Sequence, residues 1–154
     1  MTATTALETL TEARDLVNRG WCQHVFAEDG EGEEVVLGCE DICKLCLTGA
    51  LFTALGASQQ EYHSPEADIR AKGRHALLER AVKRIGVAIN NLPDVTVNHP
   101  EMDEPWSTWK EDLAFGHANW HDLSTWNDFD ETDKDQVLAV LDAAIAYERK
   151  EQTA

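Results

Sequence analysis

Basic residues are scarce in this sequence. Its 154 residues include 13 lysines and arginines against 29 aspartates and glutamates, which gives a formal net charge of −16. Nucleic-acid phosphates and anionic lipids repel a surface of this charge. We therefore expect no direct binding to nucleic acid or to membranes, and we expect a basic protein surface as the partner.

Long apolar runs are also lacking. Residues 45–60 carry no charge, but this stretch falls short of the roughly eighteen apolar residues of a membrane span. The first fifteen residues contain acidic side chains where an export signal needs a basic region and an apolar core. We expect the protein to be cytoplasmic in a bacterial host.

Cysteine is sparse, and the four thiols predict free cysteines or metal ligands rather than disulfides in a reducing compartment. Cys39, Cys43 and Cys46 have a C-x3-C-x2-C spacing, which is similar to the cluster motif of radical enzymes that use S-adenosylmethionine. On one helix the outer two Cα atoms would lie about 10 Å apart, which disfavours a single metal ion. We predict buried free cysteines and no cofactor, with a zinc ion or an iron–sulfur cluster as the alternative. The four candidates are Cys22, Cys39, Cys43 and Cys46.

Familiar catalytic signatures are missing, including a phosphate-binding glycine loop, a nucleophile elbow and a dinucleotide fingerprint. His117 and His121 are four residues apart with Asp122 adjacent, a spacing that on a helix directs two imidazoles and a carboxylate toward one metal. Gly116 and its polar neighbours disfavour a helix, so we interpret these as loop histidines, with stacking on Trp120. We assign no catalytic residue and lean toward a protein that is not an enzyme.

Residues 41–56, in contrast, are apolar on nearly every side, as expected for a helix enclosed by other helices. Gly49, Ala50 and Ala54 leave room for neighbouring backbones to approach. We predict that this is the central helix of the fold.

Helices are predicted on either side of it. Thr5 and Glu8 fit a capping box for a helix over residues 5–19. Ser64-Pro65 starts a third helix, which Gly73 interrupts and Pro93 ends. The last helix is predicted to be capped by Thr132 and to extend to about Arg149.

Residues 21–27 and 34–37 are rich in strand formers around a glycine-containing turn, which predicts a hairpin. The irregular region that follows Pro93 predicts a short strand at Val95 and Val97 and helical turns from Trp106 to Phe115. The fold class is mainly α: a small helical bundle of about four main helices with one short β-hairpin. We expect one domain, residues 1–154, with frayed ends at about 1–4 and 151–154.

The third helix carries a basic segment within this acidic chain. We interpret it as a face that pairs with acidic side chains elsewhere, and a site for an anionic ligand is the alternative. Its six basic residues are Arg70, Lys72, Arg74, Arg80, Lys83 and Arg84.

Acidic residues are concentrated near the C-terminus, since residues 94–154 contain 15 acids and four bases. We predict that a surface around the start of the last helix binds a basic protein, with an indole as anchor. In the simpler alternative, Trp126 packs on the core while Asn127 and Asp128 bond the turn that leads to Thr132. The predicted surface comprises Trp120, Trp126, Asn127, Asp128, Asp130, Glu131, Asp133 and Asp135, with Asp122 nearby.

Three segments together resemble DUF6197, a family of unknown function found in actinobacteria and their phages. They are residues 13–17 with Gly20-Trp21-Cys22-Gln23, Cys46-Leu47-Thr48-Gly49-Ala50-Leu51, and Trp126-Asn127-Asp128 followed by Thr132 and Val137-Leu138. The resemblance implies a phage or actinobacterial origin and supplies no activity. We therefore predict a small acidic accessory protein, phage or prophage derived, that binds a host or phage protein. A metal-binding module or metal-dependent enzyme is the alternative, and a DNA-mimicking inhibitor is a further one.

Overall fold

The computed structural model describes residues 2–59, 64–92 and 119–153. Those ranges contain six helices and one two-stranded antiparallel sheet, so the mainly α prediction is confirmed. The predicted count of about four main helices is too low, because Gly73 divides one helix and residues 120–127 form another. The elements are α1 (Ala6–Arg19), β1 (Ala27–Glu28), β2 (Lys44–Leu45), α2 (Leu47–Ala54), α3 (Pro65–Ala71), α4 (His75–Asn91), α5 (Trp120–Asn127) and α6 (Lys134–Gln152).

The start of α1 follows the predicted capping box. Thr5 Oγ1 accepts a bond from the Glu8 N–H at 3.1 Å, and the Glu8 carboxylate accepts one from the Thr5 N–H at 3.2 Å. Ahead of the helix, Ala3 is buried and its N–H donates to Ala54 O at 3.0 Å. This bond ties residues within the predicted frayed segment 1–4 to the end of α2.

Helix α2 is enclosed as predicted, since all of its residues except Thr53 are buried. A Cβ atom added at Gly49 would collide with Phe26 O, so glycine is required for this close approach. The helix begins at Leu47, six residues after the predicted start at Asp41. The reason is that Cys46 caps it with its sulfur 3.2 Å from the Gly49 N–H, while residues 44–45 form a strand.

The hairpin pairs different segments from those predicted. Ala27 pairs with Leu45 and Glu28 with Lys44, whereas residues 34–37 contribute a single bridge between Glu34 and Glu28. Asp29 closes a tight turn by accepting bonds from two N–H groups of residues 31–33, and the chain then leaves the sheet because Leu37 enters the core. Residues 44–45, rather than residues 34–37, therefore form the second strand of the hairpin. Of the predicted first strand, residues 21–27, only Ala27 lies in β1.

Helices α3 and α4 form as the sequence predicts. Ser64 Oγ accepts a bond from the Ala67 N–H at 3.1 Å, Pro65 occupies the first turn, and Gly73 separates the helices at a φ of 71°. The buried side chains of α4 include Leu78, Val82, Ile85 and Ile89. It packs against α1 and α6, and α1 in turn packs against both α2 and α6.

Helix α6 is capped by Asp133 rather than Thr132, and it extends past Arg149 to Gln152. The Asp133 carboxylate accepts a bond from the Gln136 N–H at 2.8 Å, which leaves the Thr132 hydroxyl to donate to Trp126 O at 2.7 Å. Thr132 is buried at that bond, so it stabilises the turn before the helix.

The basic segment is paired with acidic side chains at four positions, as its preferred interpretation predicted. Arg70 lies 3.3 Å from Glu66 and Lys72 lies 2.7 Å from Asp68, and the other two pairs are with α6. Glu148 of α6 is 1% exposed, and its carboxylate lies 2.9 Å from the guanidinium groups of both Arg80 and Arg84. The attraction between these opposite charges offsets the free-energy cost of removing the carboxylate from water. These two pairs hold α4 against α6.

Four predictions concern residues outside the described ranges: the role of Pro93 as a helix end, the strand at Val95 and Val97, the helical turns from Trp106 to Phe115, and the role of His117. Within the described ranges, the structure contains no helix of the length and apolarity that a membrane crossing requires.

Candidate functional site

The acidic surface lies on the connection between α5 and α6. Its exposed members, Asp130, Glu131, Asp133 and Asp135, are here called the acidic turn. Asp133 caps α6 and Asp135 lies in its first turn, where the positive end of the helix dipole favours carboxylates. The sequence prediction that these carboxylates lie together around one turn is consistent with this placement.

Two other predicted partner-binding residues are not accessible. Trp126 and Asn127 are fully buried, so neither side chain is exposed on the surface. Asn127 Oδ1 accepts bonds from Trp21 Nε1 at 2.8 Å and from the Leu47 N–H at 3.1 Å. Asn127 Nδ2 donates to Cys22 O at 3.1 Å. The prediction of an indole anchor at Trp126 is therefore wrong, and the alternative, in which this tryptophan packs on the core, describes the structure.

Asp128 has a structural role as well. Its carboxylate accepts bonds from the His24 N–H at 2.8 Å and from Asn127 Nδ2 at 3.0 Å. His24 has a φ of 70°, in the left-handed region that non-glycine residues rarely occupy. The bond from Asp128 supports this backbone conformation, so the Asp128 side chain is engaged within the fold.

The backbone beneath the acidic turn is held by side chains from elsewhere in the chain. Gln23 Nε2 donates to Asn127 O at 2.8 Å and to Phe129 O at 2.9 Å. Together with the bond from Thr132 to Trp126 O, these contacts hold three carbonyls of the segment that leads into the turn. The carboxylates therefore project from a backbone with a defined geometry.

Trp120, the second predicted anchor, is half-buried at the start of α5. Its ring packs edge-on against Phe52 at a centroid distance of 5.3 Å, and its Nε1 donates to Glu66 Oε2 at 3.0 Å. His121 stacks on it at 3.5 Å, as predicted, but the interpretation of His121 as a loop histidine is wrong, because the Asn119 cap starts α5 ahead of it. Asp122 completes the capping box of α5, since its carboxylate accepts a bond from the N–H of the cap residue Asn119 at 2.8 Å. Through these contacts, Trp120, His121 and Asp122 stabilise the fold at the start of α5.

The four thiols occupy different environments. Cys22 and Cys46 are buried, as predicted, and desolvation raises the pKa of each thiol to about 12. Cys39 is half-buried and Cys43 is exposed, so the prediction of burial is wrong for Cys43. Both precede α2 rather than lying within it. Among the described residues, no three cysteine, histidine or acidic side chains are grouped so that they could hold a metal ion.

A cleft that the sequence did not predict as a site lies between α3, α4 and the start of α5. Its volume is about 550 Å³. The side chains that line it are Glu66 and Arg70 from α3, His75, Leu78, Glu79, Val82 and Lys83 from α4, and Asn119, Trp120 and His121 from the start of α5. The α4 members recur at helical spacing, which identifies one face of that helix. No local pattern linked this face to α5.

Glu66 is the central polar group of the cleft. Its carboxylate accepts bonds from Trp120 Nε1 at 3.0 Å and Arg70 at 3.3 Å, and it lies 3.2 Å from His75 Nε2. The indole bond is the main cause that lowers the pKa of Glu66 below its ordinary value. The other ring nitrogen of His75 lies 3.5 Å from Glu79. One carboxylate thus links three helices along the wall of the cleft.

Comparison with known proteins gives one match. The model of a family described as a family of unknown function (DUF6197) matches residues 1–147. The chain belongs to the DUF6197 family. No curated protein and no solved structure matched it.

In this DUF6197 protein, the three segments that carry the sequence resemblance meet in space. Trp21 and Leu47 both donate to Asn127, and the hydroxyls of Thr48 and Ser124 lie 2.8 Å apart. The segments therefore join the loop after α1, the start of α2 and the end of α5. Several of their polar groups bond one another in this partly buried network.

Proposed function

We propose that this protein is a small accessory protein, phage or prophage derived, that binds a basic surface of a host or phage protein through its acidic turn. The observation that carries the proposal is the exposure of four carboxylates on a turn that directly follows backbone carbonyls held by Gln23 and Thr132. A surface with a fixed backbone loses less conformational entropy when a partner binds.

Charge is the main recognition element in this proposal. Lys134 lies within the turn, but its ammonium donates to Asn18 O at 2.7 Å, on the side of α1. The exposed carboxylates of the turn form a negative group, which speeds the encounter with a basic surface. Trp126 is buried and the Trp120 indole N–H is bonded to Glu66, so neither indole is the anchor in this proposal. Binding without a buried anchor is sensitive to salt.

Binding to a protein is favoured over mimicry of DNA. A DNA mimic needs extended rows of carboxylates, and these carboxylates are grouped around one turn. A metal-binding module or metal-dependent enzyme is a separate alternative, which elemental analysis tests directly.

The experiment is a pull-down from host lysate at low and high salt. The test variant neutralises the acidic turn with Asp130→Asn, Glu131→Gln, Asp133→Asn and Asp135→Asn. Asparagine caps helices about as well as aspartate, so α6 keeps its start. The control variant removes four exposed carboxylates from the loop between β1 and β2, with Glu31→Gln, Glu33→Gln, Glu34→Gln and Glu40→Gln.

We expect the wild type and the control variant to capture the same basic partner at low salt. Capture should fall in high salt, because the Debye length is about 8 Å at physiological ionic strength and shorter above it. Capture should also fall with the test variant. If the test variant retains the partner with the same salt response, the acidic turn is not the binding surface.

A further inference from the structure

The cleft between α3, α4 and α5 has the dimensions of a small-molecule site. Its volume of about 550 Å³ lies within the range of roughly 300–1,000 Å³ that such sites occupy. Leu78 and Val82, each 2% exposed, form an apolar floor. The stacked rings of Trp120 and His121 form one wall. An apolar floor beside flat rings suits a planar ligand.

The polar wall is already ordered without a ligand. Glu66 is bonded to groups from α3, α4 and α5, so its position is defined by three helices. Its charge is offset by Arg70, at 3.3 Å. Because these side chains are already ordered, ligand binding costs little further conformational entropy at this wall.

Lys83 differs from the other basic residues of its helix. The guanidinium groups of Arg80 and Arg84 are bonded to Glu148, whereas Lys83 is exposed and makes no hydrogen bond or ion pair with any described residue. It lies two turns after His75 on the α4 face that lines the cleft. The Arg70 side chain, on the opposite wall, is 60% exposed. Lys83 and Arg70 therefore both line the cleft with a cationic side chain.

We infer that this cleft binds a small planar organic anion, either an aromatic carboxylate or an aromatic phosphate monoester. The ring packs on Leu78 and Val82 beside Trp120, and the anionic group is held by Lys83 with a contribution from Arg70. This site is distinct from the acidic turn, which follows α5, and it does not depend on the proposed protein partner. It places an anion site on a protein whose net charge is −16.

The test is a titration followed by proton–nitrogen NMR. The probes are benzoate and phenyl phosphate, and the controls are neutral benzamide and cationic benzylamine. We expect at least one anionic probe to shift the Trp120 indole N–H signal and the amide signals of residues 75–83. The two anions distinguish a carboxylate site from a phosphate site.

Lys83→Met removes the ammonium and keeps most of the apolar stem. We expect it to weaken binding of the anion by about tenfold or more, since a hydrogen bond to a charged group contributes at that level. Lys150→Met, an exposed lysine in the last turn of α6, is the matched control and should leave binding unchanged. Thermal melting of both variants checks that the fold is retained.

Three outcomes would overturn the inference. In the first, neither anion shifts the α4 amide signals at 10 mM, a concentration chosen to be about tenfold above a weak millimolar dissociation constant. In the second, benzamide binds as well as the tighter of the two anions, which would indicate an apolar cleft without anion recognition. In the third, Lys83→Met binds the anion as tightly as the wild type.

Discussion

Replacement of Asn127 by alanine should be among the most damaging single changes in this protein. The side chain is fully buried and joins the loop after α1, the start of α2 and the end of α5. Alanine removes every one of these bonds. It leaves the Leu47 N–H and Cys22 O without their side-chain partner in the interior.

The cost follows from those two backbone groups. A buried polar group left unpaired costs about 1–3 kcal/mol, so two such groups cost roughly 2–6 kcal/mol. The indole N–H of Trp21 adds less, because that residue is half-buried and water can reach it. Against a typical total stability of about 5–15 kcal/mol, the loss is a large share.

Urea denaturation followed by far-ultraviolet circular dichroism measures this loss. The matched control is Asn91→Ala, at an exposed position in the last turn of α4, which should change the free energy of unfolding by less than about 0.5 kcal/mol. A loss below about 1 kcal/mol for Asn127→Ala would show that water or a rearranged loop satisfies these groups, and the reasoning would be refuted.

Four further predictions can be tested on the same protein. Leu51→Ala should cost about 2–5 kcal/mol in urea denaturation, because the enclosing helices cannot collapse around the cavity; an unchanged midpoint would place the core elsewhere. The lowered pKa of Glu66 means that its ionised form stabilises the fold above its unfolded pKa and that this contribution is lost as pH falls. Between about pH 5 and pH 3, wild type should therefore lose more stability than Glu66→Gln, and parallel pH profiles would contradict this. Cys43 should react with a thiol reagent in the native state, whereas Cys22 and Cys46 should react only after denaturation. Elemental analysis of purified protein should find no stoichiometric zinc or iron, and one atom per chain lost on serine substitution of Cys43 and Cys46 would favour the metal-binding alternative.

Helix starts that depend on neighbouring residues could be predicted from the sequence. The capping box of Thr5 and Glu8 and the Ser64-Pro65 start involve partners three residues apart, so the local pattern contains the whole interaction. The start of α6 was missed by one residue because Thr132 and Asp133 are both good caps. The choice between them depends on the bond from Thr132 to Trp126, which is a feature of the folded turn.

The candidate site could not be predicted in the same way. The bond from Trp120 to Glu66 spans 54 residues, and the bond from Asn127 to Cys22 spans 105. Neither pair has a spacing that a helix or hairpin would place together. The sequence therefore identified Trp126 and Asn127 as notable, but only the packing shows that they face inward.

The long separation between these partners has a consequence for how the chain folds during synthesis. When α1, α2 and α4 have left the ribosome, the Leu47 N–H and Cys22 O still lack the Asn127 side chain that pairs with them. Glu148, which lies between Arg80 and Arg84, arrives later still. The nascent chain thus carries an incomplete core with unpaired charges until the final two helices emerge, and closure of such long loops is slow. A fragment that ends after α4 should consequently expose apolar surface and aggregate rather than form a stable smaller domain.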